Sequence, residues 1–329
     1  MKHLSKYIFM FVMVVGLLMG CSDNKNSNQP EEDTNKESAN TEKLRVEDTT
    51  YPLSVKDSAG NKVVLEEDPT RIVTLIPSNT EIVFALGAGE QVVGVSKHDN
   101  YPKQVNEIDR IGGLQINTEK VLSLKPDLVL AHGSSAHNLQ AAIDQISQAG
   151  IPVYVVKNAT DFKDVYQTIY SIGKLVNEQE KADSIVTGMK DKLKEIKKKA
   201  SEITDPKSVF VEVSPAPEIY TTGTGTFMNQ MFEAIHAKNV AANLEGWVKI
   251  NEEAIISLQP DVILTTYGYY TENAVSEVLN REGWEQVPAV KNKQVFDVHS
   301  DIVSRPGPRL IKGVEQLAEI IYPETFGDE

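Results

Sequence analysis

Aromatic and imidazole side chains gather in this sequence just beyond the apolar runs that read as strands. His98 and Tyr101 follow residues 92–95, Tyr220 follows residues 209–213, and Tyr267, Tyr269 and Tyr270 follow residues 262–264. Trp247 stands shortly before Glu253. In open α/β sheets ligands sit outside the carboxyl ends of strands, and the loops there face a cleft rather than the core. These rings therefore read as a binding surface, with His98, Tyr101, Tyr220, Trp247 and Tyr267 as candidate ligand contacts. Core packing is the alternative for each ring taken singly.

Other constellations carry less chemistry. His132 and His137 flank Gly133-Ser134-Ser135, but a zinc site needs three or four converging ligands and no acidic or His-rich partner accompanies them. They read as loop histidines, and no metal is expected. The glycine-rich stretch at residues 222–226 (TGTGT) lacks the Gly-Lys-Ser/Thr ending of a phosphate loop and the full dinucleotide fingerprint. It reads as a helix-capping turn with Thr226 as N-cap. No Gly-x-Ser-x-Gly elbow and no evident acid/base pair is present, so nothing asks for catalysis.

The elements that must position these groups are announced by a repeat. Residues 119–130 (EKVLSLKPDLVL) are answered without a gap by residues 253–264 (EAIISLQPDVIL). Each copy is a glutamate, Glu119 or Glu253, opening a short helix, then a turn at Pro-Asp, then an apolar strand. That rhythm belongs to a parallel sheet covered on both faces. Two copies are too few for a solenoid, so two similar α/β lobes with a cleft between them are expected. The first lobe spans residues 50–176 and the second residues 205–329. The first contains an edge hairpin around Ala59-Gly60-Asn61 and a helix opened by Pro77-Ser78-Asn79-Thr80-Glu81, with Ser78 and Glu81 in capping-box spacing. Between the lobes, residues 177–204 place Ala182, Ile185, Met189, Leu193, Ile196, Ala200 and Ile203 at steps of three and four. This predicts one amphipathic helix long enough to bridge them, with small closure motions.

The amino terminus sets the compartment. Lys2 and Lys6 precede an almost unbroken apolar run at residues 7–19, too short to span a bilayer and suited to a signal peptide covering residues 1–20. Cys21, the chain's single cysteine, follows Leu18-Met19-Gly20 where a bacterial lipoprotein signal ends, so it is expected to carry the acyl anchor. No disulfide or cysteine catalysis is then possible. Residues 21–49 are polar and read as a disordered tether. Loss of Lys2 and Lys6 leaves 31 basic against 47 acidic residues, a net charge of −16, which argues against nucleic acid as a partner.

The segment at residues 71–81 (RIVTLIPSNTE), Val93-Gly94-Val95-Ser96 with Tyr101-Pro102, the two Leu-x-Pro-Asp turns and residues 304–309 (SRPGPR) together resemble a known family. It comprises the lipoprotein substrate-binding components of ABC importers for vitamin B12, ferric siderophores and haem, and the likeness is closest to the cobalamin-binding branch. The resemblance implies two Rossmann-like lobes bridged by a single long helix, the helical-backbone metal-receptor type, with ligand held between them. It implies a cobalt corrinoid as ligand, with ferric siderophore or haem as the alternative, and no cofactor and no enzymatic activity. Glu119 and Glu253 match the glutamates that dock into arginine pockets of the permease, whose dimer works with a cytoplasmic ATPase. Trp247 and Tyr220 match aromatic cleft residues, His98 stands where that branch can have a Tyr, and Gly113 where it can have a Trp. The protein is expected on the extracytoplasmic face of the cell membrane, monomeric when free. A sensor or adhesion lipoprotein and a surface hydrolase are the readings from other classes.

Overall fold

The computed structural model describes residues 49–327, so the signal peptide, Cys21 and nearly all of the tether lie outside the described residues. The chain opens with an antiparallel hairpin, β1 (Leu53–Lys56) and β2 (Lys62–Leu65), that turns at Gly60, whose φ of 89° is a conformation glycine adopts freely. Next come β3 (Ile72–Thr74), α1 (Pro77–Leu86), β4 (Val92–Val95), β5 (Asp109–Arg110) and α2 (Thr118–Ser123). The first half continues through β6 (Leu128–His132), α3 (Gly133–Ala136), α4 (Gln140–Gln148), β7 (Val153–Val156) and α5 (Phe162–Leu175). Its sheet is five-stranded and parallel, in the order β5-β4-β3-β6-β7.

After α6 (Gln179–Ala200) the second half runs β8 (Ser208–Glu212), β9 (Tyr220–Thr222), α7 (Phe227–Ala234), β10 (Lys238–Asn239), β11 (Trp247–Lys249) and α8 (Glu252–Leu258). There follow β12 (Val262–Thr265), α9 (Ala274–Leu279), α10 (Pro288–Lys291), β13 (Val295–Asp297), α11 (Ser300–Ser304), α12 (Leu310–Ile321) and α13 (Pro323–Phe326). Here the parallel sheet has the order β10-β8-β12-β13, and β9 and β11 form a separate antiparallel ribbon.

The repeat is thus a structural equivalence. In each half the helix is capped by an asparagine side chain, Asn117 accepting from the Lys120 N–H and Asn251 from the Ala254 N–H. Both turns pass through a positive φ, 49° at Lys125 and 47° at Gln259. The aspartate that follows fastens the neighbouring strand: Asp127 accepts from the amides of Thr70 and Arg71, and Asp261 from the amide and hydroxyl of Ser208. Each Pro-Asp thereby ties its repeat strand, β6 or β12, to the strand beside it. Removing either carboxylate would leave several donors at the start of an interior strand without their acceptor.

Alternation along the strands divides the interior into three cores. Ile72, Leu128 and Leu130 face the same cluster as Val209, Val211, Val262 and Leu264 of the other half. Val73 and Val129 point away into a second core under α2 and α4, and Phe210 and Ile263 into a third beside Trp284. The shared core exists because α6 lies across both halves, packing on α5 at one side and on α7 and α12 at the other. Its buried stripe is Ala182, Val186, Met189, Leu193, Ile196 and Ala200, and its length is ~33 Å. Val186, not Ile185, occupies the buried second position; Ile185 sits half-buried at the margin.

One local expectation fails for an instructive reason. Ser78 and Glu81 do not form a capping box: the N-cap of α1 is Ile76, with Pro77 at the first helical position and no side-chain cap. Glu81 is instead turned toward the second half, where Arg305 and Arg309 claim both of its oxygens.

Candidate ligand-binding site

A cavity of about 450 Å³ lies between the two halves. Ile76, Pro77, Ser78, His98 and His132 wall it from the first half, and Gly225, Thr226, Phe227, Trp247 and Arg305 from the second. Each wall is held by a local device. The start of α1 reaches the cavity because β3 ends beside it. His98 is presented by a turn in which the Ser96 hydroxyl bonds Asp99 at 2.6 Å and accepts from the His98 amide. On the facing side, residues 222–226 form the capping turn expected from the sequence: the Thr226 hydroxyl accepts from the Asn229 amide and donates to the Gly223 carbonyl. Gly223 is required there, since a Cβ would overlap the Leu244 carbonyl oxygen. Trp247 stands on β11, half-exposed, with its ribbon registered against β9. Gln230 of α7 ties the halves together near this cavity, bonding the Phe162 amide and the Thr160 carbonyl.

The most telling polar group in the cavity is His132, which its lack of converging zinc ligands leaves as a loop histidine by sequence alone. His132 ends β6, is 3% exposed, and lines the cavity. Its Nδ1 accepts from the Ser134 amide at 3.2 Å, which leaves the ring proton on Nε2, and Nε2 has no partner in the protein. Ser78 Oγ, also lining the cavity, is likewise buried and unpartnered. Buried donors left unmade are costly, so a pair of them in one cavity is an invitation to an acceptor-bearing ligand. Burial lowers the His132 pKa to about 4, keeping the imidazole neutral at physiological pH. Because the unfolded chain takes up that proton first, the resulting stability is fully present above pH ~6.5 and is lost as pH falls toward 4. His132→Gln should flatten that acid limb by about 2 to 3 kcal/mol in urea melts taken from pH 7 down to 4. An unchanged limb in the variant would mean that His132 is not the group responsible.

The two halves are latched beside the cavity. Glu81, 3% exposed on α1, receives Arg305 Nη1 at 2.8 Å and Arg309 Nε and Nη2 at 2.7 Å each. Arg305 also bonds Asn100 and the His98 carbonyl across the same junction and pairs with Asp301 at 2.9 Å. Asp301 in turn accepts from Asn100. The SRPGPR segment is therefore more than an anchor for α12: it crosses to the first half and forms part of the cavity wall.

The residues singled out in the sequence separate into groups. His98 and Trp247 meet across the main cavity. Tyr101 is exposed but faces a different hollow, where its ring lies 4.1 Å beneath the Arg309 guanidinium. Tyr220 is exposed on β9 opposite Lys249, outside the lining of the main cavity. Tyr267 departs from expectation: it is fully buried, its hydroxyl 2.6 Å from Glu212, which Arg281 grips in bidentate fashion at 2.7 and 2.8 Å. Burial, then the Glu212 charge, raises the Tyr267 pKa well above its ordinary value. Coming directly after β12, its ring folds back into the core, while Tyr269 and Tyr270 project outward. His137 caps the short α3 at the surface, away from His132. Glu119 and Glu253 are exposed at the second position of α2 and α8, and neither carboxylate has an ion-pair partner among the described residues. No cluster of potential metal ligands occurs among the described residues.

Comparison with known proteins gives this arrangement a lineage. The family model described as "Periplasmic binding protein" matches residues 72–302. The chain is 50% identical over 278 residues to an uncharacterized ABC transporter substrate-binding lipoprotein, YvrC, of Bacillus subtilis, covering 84% of this chain and 87% of that protein. It is 27% identical over 256 residues to a vitamin B12-binding protein of Vibrio parahaemolyticus, covering 77% and 90%. Among solved structures, a possible iron-binding (periplasmic solute-binding) protein of Staphylococcus epidermidis superposes with a TM-score of 0.71 at 36% identity, over 78% of this chain and 100% of the other. The periplasmic haem-binding protein RhuT of Roseiflexus superposes with a TM-score of 0.71 at 25% identity, over 78% and 98%. With two parallel-sheet halves, a helix across them and a cavity between, the chain belongs to the periplasmic binding protein family.

Proposed function

We propose that this protein is the lipid-anchored, extracytoplasmic substrate-binding component of an ABC importer, capturing cobalamin or a related corrinoid and presenting it to the permease. The observation that carries the reading is the cavity itself, open to solvent, with one flat indole on the second half facing two imidazoles on the first. A corrin is a broad, largely apolar disc edged with amides, and it calls for flat aromatic contact plus a few hydrogen-bonding groups. Trp247 supplies the first, and His132 Nε2 and Ser78 Oγ the second. Likeness to a vitamin B12-binding relative and to YvrC supports the same reading. In this account Tyr220 and Tyr101 sit at the margin of the site and Glu119 with Glu253 dock the permease. Cys21 carries the anchor, residues 50–176 and 205–329 are the lobes, and residues 177–204 the bridge. A second reading, haem, is favoured by one specific feature: His132 Nε2 has no protein partner beside the cavity and could ligate iron once its proton moves to Nδ1, where the Ser134 hydroxyl at 2.8 Å can accept it.

Tryptophan fluorescence tests the leading reading cleanly, because the chain has two tryptophans and Trp284 is fully buried. Cyanocobalamin should quench the Trp247 emission, and Trp247→Ala should weaken binding by about 1 to 3 kcal/mol, as for a half-buried aromatic anchor. Binding that is indifferent to this substitution would remove the indole from the site.

A further inference from the structure

The bridging helix carries a charge pattern that neither the cavity nor the fold uses. Between Lys190 and Lys199 stand six lysines against Asp191 and Glu195, a local net charge of +4 in a mature chain of net −16. Lys190, Lys194, Lys197 and Lys198 follow one another at steps of four, three and one, which places them on one face of α6, and all four are exposed. None has an ion-pair partner among the described residues, whereas Lys192, on the other flank, is taken by Glu195 and Glu315. The helix dipole accounts for lysines in the last turn, where Lys197, Lys198 and Lys199 lie, but not for Lys190 and Lys194 before it. Two rings of α5 edge the stripe. Lys190 Nζ lies 5.3 Å from the centre of the Tyr166 ring, and Tyr170, 37% exposed, bonds Asp183 of α6 at 3.0 Å. Lysine supplies attraction to anionic lipid, and tyrosine an amphipathic ring suited to headgroup depth. No residue of α6 lines the cavity.

The chain's own anchor brings such a lipid surface within reach. Thr49 is fastened at the foot of α6: its amide bonds Asn177 Oδ1 at 3.1 Å, and its hydroxyl donates to the Lys174 carbonyl and accepts from Gln179 Nε2. Residues 22–48, the 27 that separate Thr49 from Cys21, extend to roughly 90 Å at most, well beyond the ~33 Å length of α6. We propose that the lysine face of α6 rests on the anionic phospholipid surface into which Cys21 is anchored, setting the resting orientation of the protein with its cavity clear of the lipid. The assignment rests on the anchor reading above and adds to it which side of the fold meets the membrane. At about 0.1 M salt, exposed charges more than ~10 Å apart are largely screened, so the stripe acts as a local cation despite the acidic chain. A lysine near an anionic membrane is worth about fivefold in affinity, and four on one face compound that.

Co-sedimentation with vesicles tests this, using the mature chain from residue 21 with Cys21→Ser so that no acyl group contributes. At about 0.1 M salt it should pellet with mixed phosphatidylglycerol and phosphatidylcholine vesicles but not with phosphatidylcholine alone, and about 0.5 M salt should release it. Lys190→Gln, Lys194→Gln, Lys197→Gln and Lys198→Gln together should weaken binding by about tenfold or more. Lys62→Gln, Lys103→Gln, Lys125→Gln and Lys291→Gln together change the net charge equally at exposed positions elsewhere, and should leave binding within about twofold. Failure of the Cys21→Ser chain to bind anionic vesicles, or an equal loss in the two quadruple variants, would overturn the assignment. Preferential capture of soluble poly(glycerol phosphate) over vesicles of equal phosphate content would also overturn it, giving the stripe to a polymer. The anchor is tested apart, by fatty-acid labelling of the wild type in cells, so its failure and the stripe's are told apart.

Discussion

Glu81→Gln should lower the stability of the folded protein by about 3 kcal/mol, read as a shifted urea midpoint. The carboxylate is nearly inaccessible and neutralises two guanidiniums that reach it from the other half of the molecule. Removing one partner of a buried ionic cluster leaves the others desolvated without compensation, which costs about 3 to 5 kcal/mol when no other partner remains. Here Arg305 keeps Asp301 and Arg309 keeps the Tyr101 ring, so the lower end of that range is expected. Glu315→Gln supplies the contrast. It breaks the half-exposed pair with Lys192 between α12 and α6, which solvent already screens, and should cost less than about 1 kcal/mol. Similar losses in the two variants would show that the latch contributes no more than a surface pair.

Glu119→Ala combined with Glu253→Ala should cut ligand uptake by cells about tenfold or more, while the purified protein binds ligand within about 0.5 kcal/mol of the wild type. Both carboxylates stand on rigid supports. Each is one residue beyond a helix start fixed by an asparagine cap, and each short helix is pinned by a fully buried side chain, Val121 or Ile255. Neither carboxylate is used within the fold, although both lie where the helix dipole favours an anion. A rigid, unpaired acid on corresponding points of the two halves is suited to bidentate arginine on a two-fold partner. Uptake assays with radiolabelled cyanocobalamin, alongside affinity of the isolated variant, separate delivery from capture. Normal uptake would remove these glutamates from docking, and a large loss of affinity would move them into the ligand site.

Much of the architecture was legible because the repeat is written in short-range signals. Pro-Asp turns, helix-opening glutamates and apolar strands are all local, and duplication fixed their equivalence without knowledge of the rest of the chain. The bridging helix is legible for the same reason, though its stripe differs at Ile185, whose buried place Val186 takes, and at Ile203, which lies beyond the helix end at Ala200. What stayed hidden was set by contacts between distant residues. Glu81 and Arg305 are 224 positions apart, so the serine–glutamate spacing at the start of α1 suggested a local cap while the carboxylate was committed elsewhere. Position alone makes Tyr267 a ligand-surface candidate, because the strand-end rule does not specify which side of the sheet the next ring takes. Glu212 and Arg281, on other elements, drew it into the core. Its neighbours alone make His132 a loop residue, yet the repeat aligns it with Thr266, directly after the equivalent strand, where such sheets present their ligand-facing side chains.

Calorimetry of the purified protein with cyanocobalamin, haemin and a ferric siderophore, run side by side, tests the central claim most directly. The account predicts submicromolar binding of cyanocobalamin, on the order of −8 kcal/mol or better, with the other two weaker. No heat with cyanocobalamin, together with tight binding of haemin or the siderophore, would contradict it.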